Sequence, residues 1–337
     1  MNKIATAPPA QREELFLATA DRMNLDVALI EKDFWVCWTL GQIFRIPAFQ
    51  GNILFKGGTS LSKVFGLIRR FSEDIDLAVN YAPLGFTGER DPTAPMSHSK
   101  RTRLLEEMMT ACHAYVHNQF LSILREHFTG ILGTEGWTLA VSRTDPNTIE
   151  FSYPVAAKGQ LGYVRPIVVL ELGTHAELIP SGEFSIKSYA AEHFPDVFDR
   201  VAWPVAAIKA ERTFWEKATI LHVEYHRPPD KATPGRYSRH YYDLAMMAQS
   251  PVRALALADR ELLDRVVRHK DHFYRSGWAH YDQAVPSMLQ LLPRDERIAP
   301  LRQDYRAMSV MIFGQVPAFD DLLQTLRELE EDIRRMA

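Results

Sequence analysis

The sequence predicts an α+β fold, a mixed-sheet α/β core joined to a helical C-terminal domain. Three observations carry this. Short strand-like runs, "NILFK", "DIDLAVN", "WTLAVSR", "TIEFSYP" and "RPIVVLELG", are interspersed with helical segments between residues 51 and 173. From about Ala202 onward the pattern turns helical. The 337 residues are also more than one core usually needs. The expected division is a helical N-terminal segment over 1–50, a sheet core over 51–200 and a helical domain over 201–337.

Taken in order, residues 10–23 read as a helix and "DVALIEKDFWVCWTLGQIFRI" as a second, with Val27, Ile30, Phe34 and Trp38 at helical spacing. Glu31, Lys32 and Asp33 interrupt it, either as a solvated face with local ion pairs or as the border of a cleft. "NILFK" is a buried strand ended by Gly57-Gly58, after which Thr59 or Ser60 caps a helix "SLSKVFGLI". Residues 80–99, rich in Pro, Gly and Ser, form a long loop. "KRTRLLEEMMTACHAYVHNQFLSILREHF" is an amphipathic helix. "TIEFSYP" alternates, "RPIVVLELG" is a continuous apolar run suited to a central strand, and "EFSIKSY" adds another strand. The helical domain comprises "PVAAIKAERTFWEKATILHVEYH", "SRHYYDLAMMAQ", "RELLDRVVRHKDHFY" and "FDDLLQTLRELEEDIRRM".

Composition narrows the function. Hydrophobic residues at 46% and charged residues at 24% are ordinary for a soluble domain. A formal charge of −3 excludes a global basic footprint, so any nucleic acid must be met by a local patch. Cys37 and Cys112 lack metal-type spacing, which fits a reducing cytoplasm. "MNKIATAPPAQREELFLATA" has no apolar signal core, and charges break every long apolar run, so no export or membrane segment is expected.

The chemistry concentrates in "FKGGTSLSKVFGLIRRFSEDIDLAV", residues 55–79. Residues i and i+2 of a strand share a face, so Asp74 and Asp76 project together while Ile75, Leu77 and Glu73 point away. Paired carboxylates repel unless a cation lies between them, and carboxylate oxygens suit Mg²⁺. Lys56, Gly57, Gly58, Thr59 and Ser60 offer a glycine turn and a helix start able to cradle phosphate, although no P-loop is present. Glu171, ending the apolar strand, is a third acid that is costly to bury alone and joins the aspartates if the strands are neighbours. Three acids suffice for two metal ions. The plain alternative is a turn and a solvated strand. Lys217 and Asp243 stand in mostly apolar helical stretches, read either as parts of solvated stripes or as charges with partners in a cleft.

These residues resemble the nucleotidyltransferase superfamily of the DNA polymerase β type, and within it the AbiEii/AbiGii toxin family, to which the MenT-like toxins are similar. The resemblance rests on "FKGGTSLSKVFGLIRRFSEDIDL", "VVLELG", "ERTFWEKATILH" and "RHYYDL". It implies a nucleotidyltransferase core, with the C-terminal helices completing the active cleft. It implies that Gly58 and Ser60, or Thr59 in its place, hold the triphosphate, and that Asp74, Asp76 and Glu171 bind one or two Mg²⁺. Lys217 matches the lysine that contacts nucleotide phosphates, and Asp243 the acid of the fourth motif. The implied reaction moves a nucleoside monophosphate from an NTP to an acceptor hydroxyl, such as a tRNA 3′ end, with release of pyrophosphate. The implied setting is a toxin–antitoxin or phage-defence system with a cognate antitoxin. A nucleic-acid patch is placed at Arg239 and His240 or at Lys100, Arg101 and Arg103, against the plain reading of solvated charge. Two rival functions are a small-molecule, antibiotic-type nucleotidyltransferase and a nucleotide-sensing or protein-binding module without turnover.

Overall fold

A computed structural model describes residues 1–72, 74–157, 159 and 165–336. Glu73, expected to face away from its neighbouring acids, lies outside the described residues. The chain divides into two compact units, Met1–Val64 with Glu73–Ala207, and Phe65–Ser72 with Ile208–Ala337.

The first unit is built on a seven-stranded mixed sheet. Its strands are β1 Ile53–Lys56, β2 Asp74–Val79, β3 Thr138–Val141, β4 Thr148–Ser152, β5 Ile167–Gly173, β6 Ser181–Ile186 and β7 Trp203–Ile208. Their order is β3-β4-β5-β2-β1-β7-β6. β1 runs antiparallel to β2 and parallel to β7, while β2 and β5 are parallel neighbours at the centre. The helices are α1 Asn2–Ala5, α2 Pro9–Met23, α3 Val27–Ile43, α4 Gly57–Lys63, α5 His98–Tyr115, α6 Leu121–Leu132 and α7 Tyr189–His193. A π-helical turn, Val116–Phe120, joins α5 to α6 along the single amphipathic stretch that the sequence predicts.

α3 organises this core. Asp26 caps it by accepting from the Ala28 amide at 2.8 Å, and every residue of the helix except Ala28 is buried. Apolar side chains point from all its faces, which is the signature of a helix covered on all sides. Trp38 meets Phe128 edge-on with centroids 4.7 Å apart, and Phe128 meets Phe151 of β4 at 5.0 Å. Such aromatic pairs add to the area they bury.

Burial of α3 corrects the reading of its charged triplet. Glu31, Lys32 and Asp33 are all buried, not solvated. The Glu31 carboxylate accepts from the amides of Ala156 and Ala157 at 2.7 and 3.1 Å, and the Lys32 ammonium donates to the Arg165 carbonyl at 3.0 Å. Asp33 accepts from the Tyr189 amide at 2.7 Å and pairs with Lys63, the last residue of α4, at 2.7 Å. Burial alone would pull the Lys63 ammonium down, but Asp33 outweighs it and holds it well above the ordinary lysine range. The Lys63 ammonium also lies 3.8 Å from the centroid of the Tyr189 ring.

Two further expectations are corrected. α4 starts at Gly57 and stops at Lys63, so "VFGLI" is not helical, and neither Thr59 nor Ser60 is its N-cap. The start of "PVAAIKAERTFWEKATILHVEYH" is β7, and the helix begins only at Ala210. Pairing of Phe55 with Ala207 overrides the helical pattern there.

The second unit contains α8 Ala210–Tyr225, α9 Ser238–Ala248, α10 Val252–Ala258, α11 Arg260–Phe273, α12 Asp295–Ser309 and α13 Phe319–Arg334. α13 buries Leu322, Leu326, Leu329 and Ile333 along one stripe. The excursion Phe65–Ser72 belongs here: Arg70 forms an antiparallel bridge with Ile312, the Phe71 amide donates to the Met311 carbonyl, and the Phe313 amide donates to the Arg69 carbonyl, both at 2.7 Å. Both cysteines are free and buried. No helix among the described residues is long and apolar enough to cross a membrane.

The Asp33–Lys63 pair gives a stability test. Lys63→Met leaves a buried carboxylate without its counter-charge and is expected to cost about 3–5 kcal/mol in urea unfolding. The double variant Asp33→Asn/Lys63→Met removes both charges yet keeps an acceptor for the Tyr189 amide. It is expected to unfold at a higher urea concentration than Lys63→Met alone.

Candidate active site

Strand register assembles the predicted acids. Asp76 on β2 lies opposite Lys56 on β1 and beside Glu171 on β5, and Glu171 lies opposite Thr148 on β4. Lys56, Asp76, Glu171 and Thr148 thus form one row across four strands. Asp74 stands two residues earlier on β2, on the same face. Ile75 and Leu77, on the other face, are fully buried in the core. The alternation that buries those two side chains is what aims both aspartates outward.

Gly57 belongs to the same constellation. It has φ +77°, and a Cβ added to it would sit 1.9 Å from Oδ2 of Asp76. Only glycine allows the Asp76 carboxylate to lie against the start of α4. Gly58 follows as the second residue of that helix. The next two hydroxyls brace the turn from within. Thr59 donates to the Asp74 carbonyl at 2.5 Å and Ser60 to the Gly57 carbonyl at 2.8 Å, and both residues are fully buried. Thr59 thereby ties α4 to the first strand residue bearing an acid.

The row carries more negative than positive charge. The Lys56 ammonium lies 3.9 Å from Asp76 Oδ1, with both side chains partly exposed. Partial burial, then Asp76 and Asp74, push the Glu171 carboxyl up to about 6, with Lys56 offsetting some of the effect. Glu171 nevertheless keeps an exposed side, so solvent screens part of this crowding. Such a set fits a hard divalent cation: its donors are carboxylate oxygens, and the cation would relieve the repulsion the protein leaves in place. Among the described residues no three or more His, Cys, Asp or Glu side chains stand close enough together to hold a metal ion by themselves. An open arc of acids suits Mg²⁺, which keeps waters and substrate oxygens in its shell.

Lys217 and Asp243 also meet, within the second unit. The Lys217 ammonium on α8 lies 2.7 Å from Oδ2 of Asp243 on α9. Arg70 grips the same carboxylate with Nε at 2.7 Å and Nη2 at 2.9 Å. Burial alone would raise the Asp243 carboxyl, but Arg70 and Lys217 hold it well below the usual carboxylate range. Burial lowers the Lys217 ammonium, against the pull of Asp243. The neighbouring Arg212 Nε pairs with Glu216 at 2.9 Å, an i, i+4 pair along α8.

Sequence reasoning missed Arg70 and Thr148. A signal for Arg70 exists in "LIRRF", where an arginine within an apolar run has to find an acid. Of the basic patches, Arg101 is spent on the loop before it, donating to the carbonyls of Pro92 and Ala94 at 2.9 and 3.1 Å, whereas Lys100, Arg103 and Arg239 are exposed.

Gly57→Ala tests the close approach. It is expected to stay folded while losing divalent-ion binding by calorimetry, because Asp76 must move. Gly51→Ala, also at positive φ but with open space around its Cβ position, should cost only the backbone strain of about 1 kcal/mol and leave binding intact. Charge crowding has its own test. An acid held above its unfolded value of 4.5 loses stability as pH rises through about 6. Glu171→Gln should therefore stabilise the metal-free protein at pH 8 by at most about 1 kcal/mol after solvent screening, read as a raised thermal midpoint. At pH 4 it should change nothing.

Comparison with known proteins bears on the family. The family model described as nucleotidyl transferase AbiEii toxin, type IV toxin–antitoxin system, matches residues 38–325 and so spans every residue of both clusters. No curated protein matches the chain by sequence. Among solved structures, the chain is similar to MenT4, a nucleotidyltransferase toxin from Mycobacterium tuberculosis H37Rv, with 16% identity over 98% of this chain and 99% of that one. The TM-score of 0.43 is too low to carry an argument about activity. The extent of the family match decides the matter: the chain is an enzyme of the AbiEii family of nucleotidyltransferase toxins.

Proposed function

We propose that the protein transfers a nucleoside monophosphate from an NTP to an acceptor hydroxyl, with Mg²⁺ held by Asp74, Asp76 and Glu171 and pyrophosphate as the leaving group. The observation that carries this reading is the row Lys56–Asp76–Glu171 with Gly57 packed against Asp76. Bound there, Mg²⁺ would act as a Lewis acid toward phosphoryl oxygens. Lys56 brings a positive charge beside Asp76, and the Gly57-Gly58 turn that opens α4 is the element assigned to the phosphates. Thr59 and Ser60 hold that backbone through their inward hydrogen bonds. Asp76 and Glu171 are the acids assigned to the neighbourhood of the attacking acceptor hydroxyl. Lys217 is the cation assigned to the charge that develops on the leaving phosphates.

The acceptor we favour is the 3′ end of tRNA, in a toxin–antitoxin or phage-defence setting in the cytoplasm, with a cognate antitoxin protein as partner. The exposed cations Lys100, Arg103 and Arg239 supply local positive charge for RNA on a chain whose overall charge is −3.

The test incubates the protein with each labelled NTP, Mg²⁺ and total tRNA, beside an Asp76→Ala control. Label is expected in RNA with a preferred nucleotide, falling at least about 100-fold in the control and vanishing with chelator. Label in a small hydroxylated acceptor instead would move the protein to antibiotic-type transfer. Label in no RNA, protein or small acceptor with any nucleotide overturns the reading.

A further inference from the structure

Asp243 has almost no room left for chemistry of its own. It is fully buried, and its two oxygens take three donors: Arg70 Nε and Nη2, and Lys217 Nζ, all between 2.7 and 2.9 Å. A carboxylate offers about four lone-pair sites, so three are in use. Bidentate arginine pairing is also among the most directional interactions a carboxylate makes.

The partner Arg70 is not an isolated side chain. Arg69, before it, donates its amide to the Tyr242 hydroxyl at 3.2 Å, and Tyr242 adjoins Asp243 on α9. The bridge to Ile312 and the two 2.7 Å backbone bonds to Met311 and Phe313 fasten the same three residues. The Phe71 and Phe313 rings pack with centroids 6.2 Å apart. Residues 69–71 are thus pinned through consecutive side chains of α9 and through a strip of backbone. This pinned stretch is part of the segment joining α4, which begins at Gly57, to β2, which begins at Asp74. Only three residues separate Arg70 from Asp74 in the chain.

We propose that Asp243 is a positioning residue, neither a metal ligand nor a proton acceptor, which sets the Lys217 ammonium and locks the Phe65–Ser72 segment through Arg70. The part concerning Lys217 rests on the proposed function, since it takes Lys217 to serve the nucleotide phosphates. Loss of Asp243 then acts at a distance, through a lysine that loses its aim and a segment that loses its anchor. Arg70 shares the second task and not the first.

The experiment compares Asp243→Asn, Asp243→Glu and Arg70→Lys with the full-length wild type, each checked for folding by circular dichroism. One measurement is amide hydrogen exchange at residues 68–71 and 311–313, which needs no enzymatic activity. The other is steady-state transfer, with the KM for NTP, kcat and the Mg²⁺ concentration for half-maximal rate read separately. Asp243→Asn and Arg70→Lys are expected to speed exchange at those amides about tenfold or more. Asp243→Asn should raise the KM for NTP about tenfold or more while the Mg²⁺ requirement stays within about twofold. Asp243→Glu, which keeps the charge, should recover part of that KM. Should Asp243→Asn fail to fold, Arg70→Lys carries the exchange test and Asp243→Glu the Mg²⁺ test. Unchanged exchange in Arg70→Lys overturns the lock. A Mg²⁺ requirement shifted tenfold in either Asp243 variant, or rescue by Mn²⁺, makes Asp243 a ligand and overturns the positioning role. A wild type that transfers nothing overturns the proposed function instead, and the exchange measurement still decides the lock.

Discussion

The carboxylate of Asp76 occupies space that a side chain at residue 57 would need, and much of the first unit's local order follows from that single exclusion. Gly57 has to be glycine for two reasons at once, its positive φ and the oxygen against it. That close fit makes the start of α4 and the acidic row one packed object. Thr59 reinforces the join by bonding to the Asp74 carbonyl, and Ser60 by bonding back to Gly57.

α4 is held at its other end by charge. It has only seven residues and no side-chain N-cap, too little to persist on helix propensity alone. Lys63 at its end reaches the buried Asp33 on α3, which also takes the Tyr189 amide at the start of α7. Two residues earlier, Glu31 takes two amides of the chain beyond β4. The charged triplet inside α3 is therefore a set of three tethers from the central helix to segments that carry little apolar area of their own. Hydrophobic burial alone would leave those segments free to slide, whereas a buried charge accepts few positions.

Sequence alone reveals features whose cause is local. The shared face of Asp74 and Asp76 follows from strand period two, and Glu171 stands out as an acid at the end of an apolar strand. The family resemblance, carried by short runs of residues, holds over residues 38–325. Features set by distant partners were not legible. The burial of Glu31 and Asp33 has no local signature because their donors lie about 125 and 156 residues away. β7 read as the start of a helix because nothing local announces that Ala207 pairs with Phe55, some 150 residues earlier. Nothing near Arg70 in the chain marks its partner, because its acid, Asp243, is 173 residues distant. Periodicity and spacing report which face a residue takes, but they do not report which charge it meets.

The two kinds of carboxylate in this chain separate structural work from chemistry. Glu31, Asp33 and Asp243 are each 4% exposed or less, and each accepts at least two hydrogen bonds or charged donors. Buried in that way, a carboxylate has little left to offer a ligand, and a missing donor would destabilise the fold. Asp76 and Glu171 behave oppositely. They are open to water, they crowd one another, and the lysine beside them stands at 3.9 Å, too far for a hydrogen bond. A fold under selection for stability alone would relieve that crowding with a neutral residue at one strand position. Keeping three acids on adjacent strands costs stability, a cost that a cation held between them would offset. On this argument the row still has acceptor positions to offer a ligand, as the proposed function requires, whereas Asp243 already takes three donors.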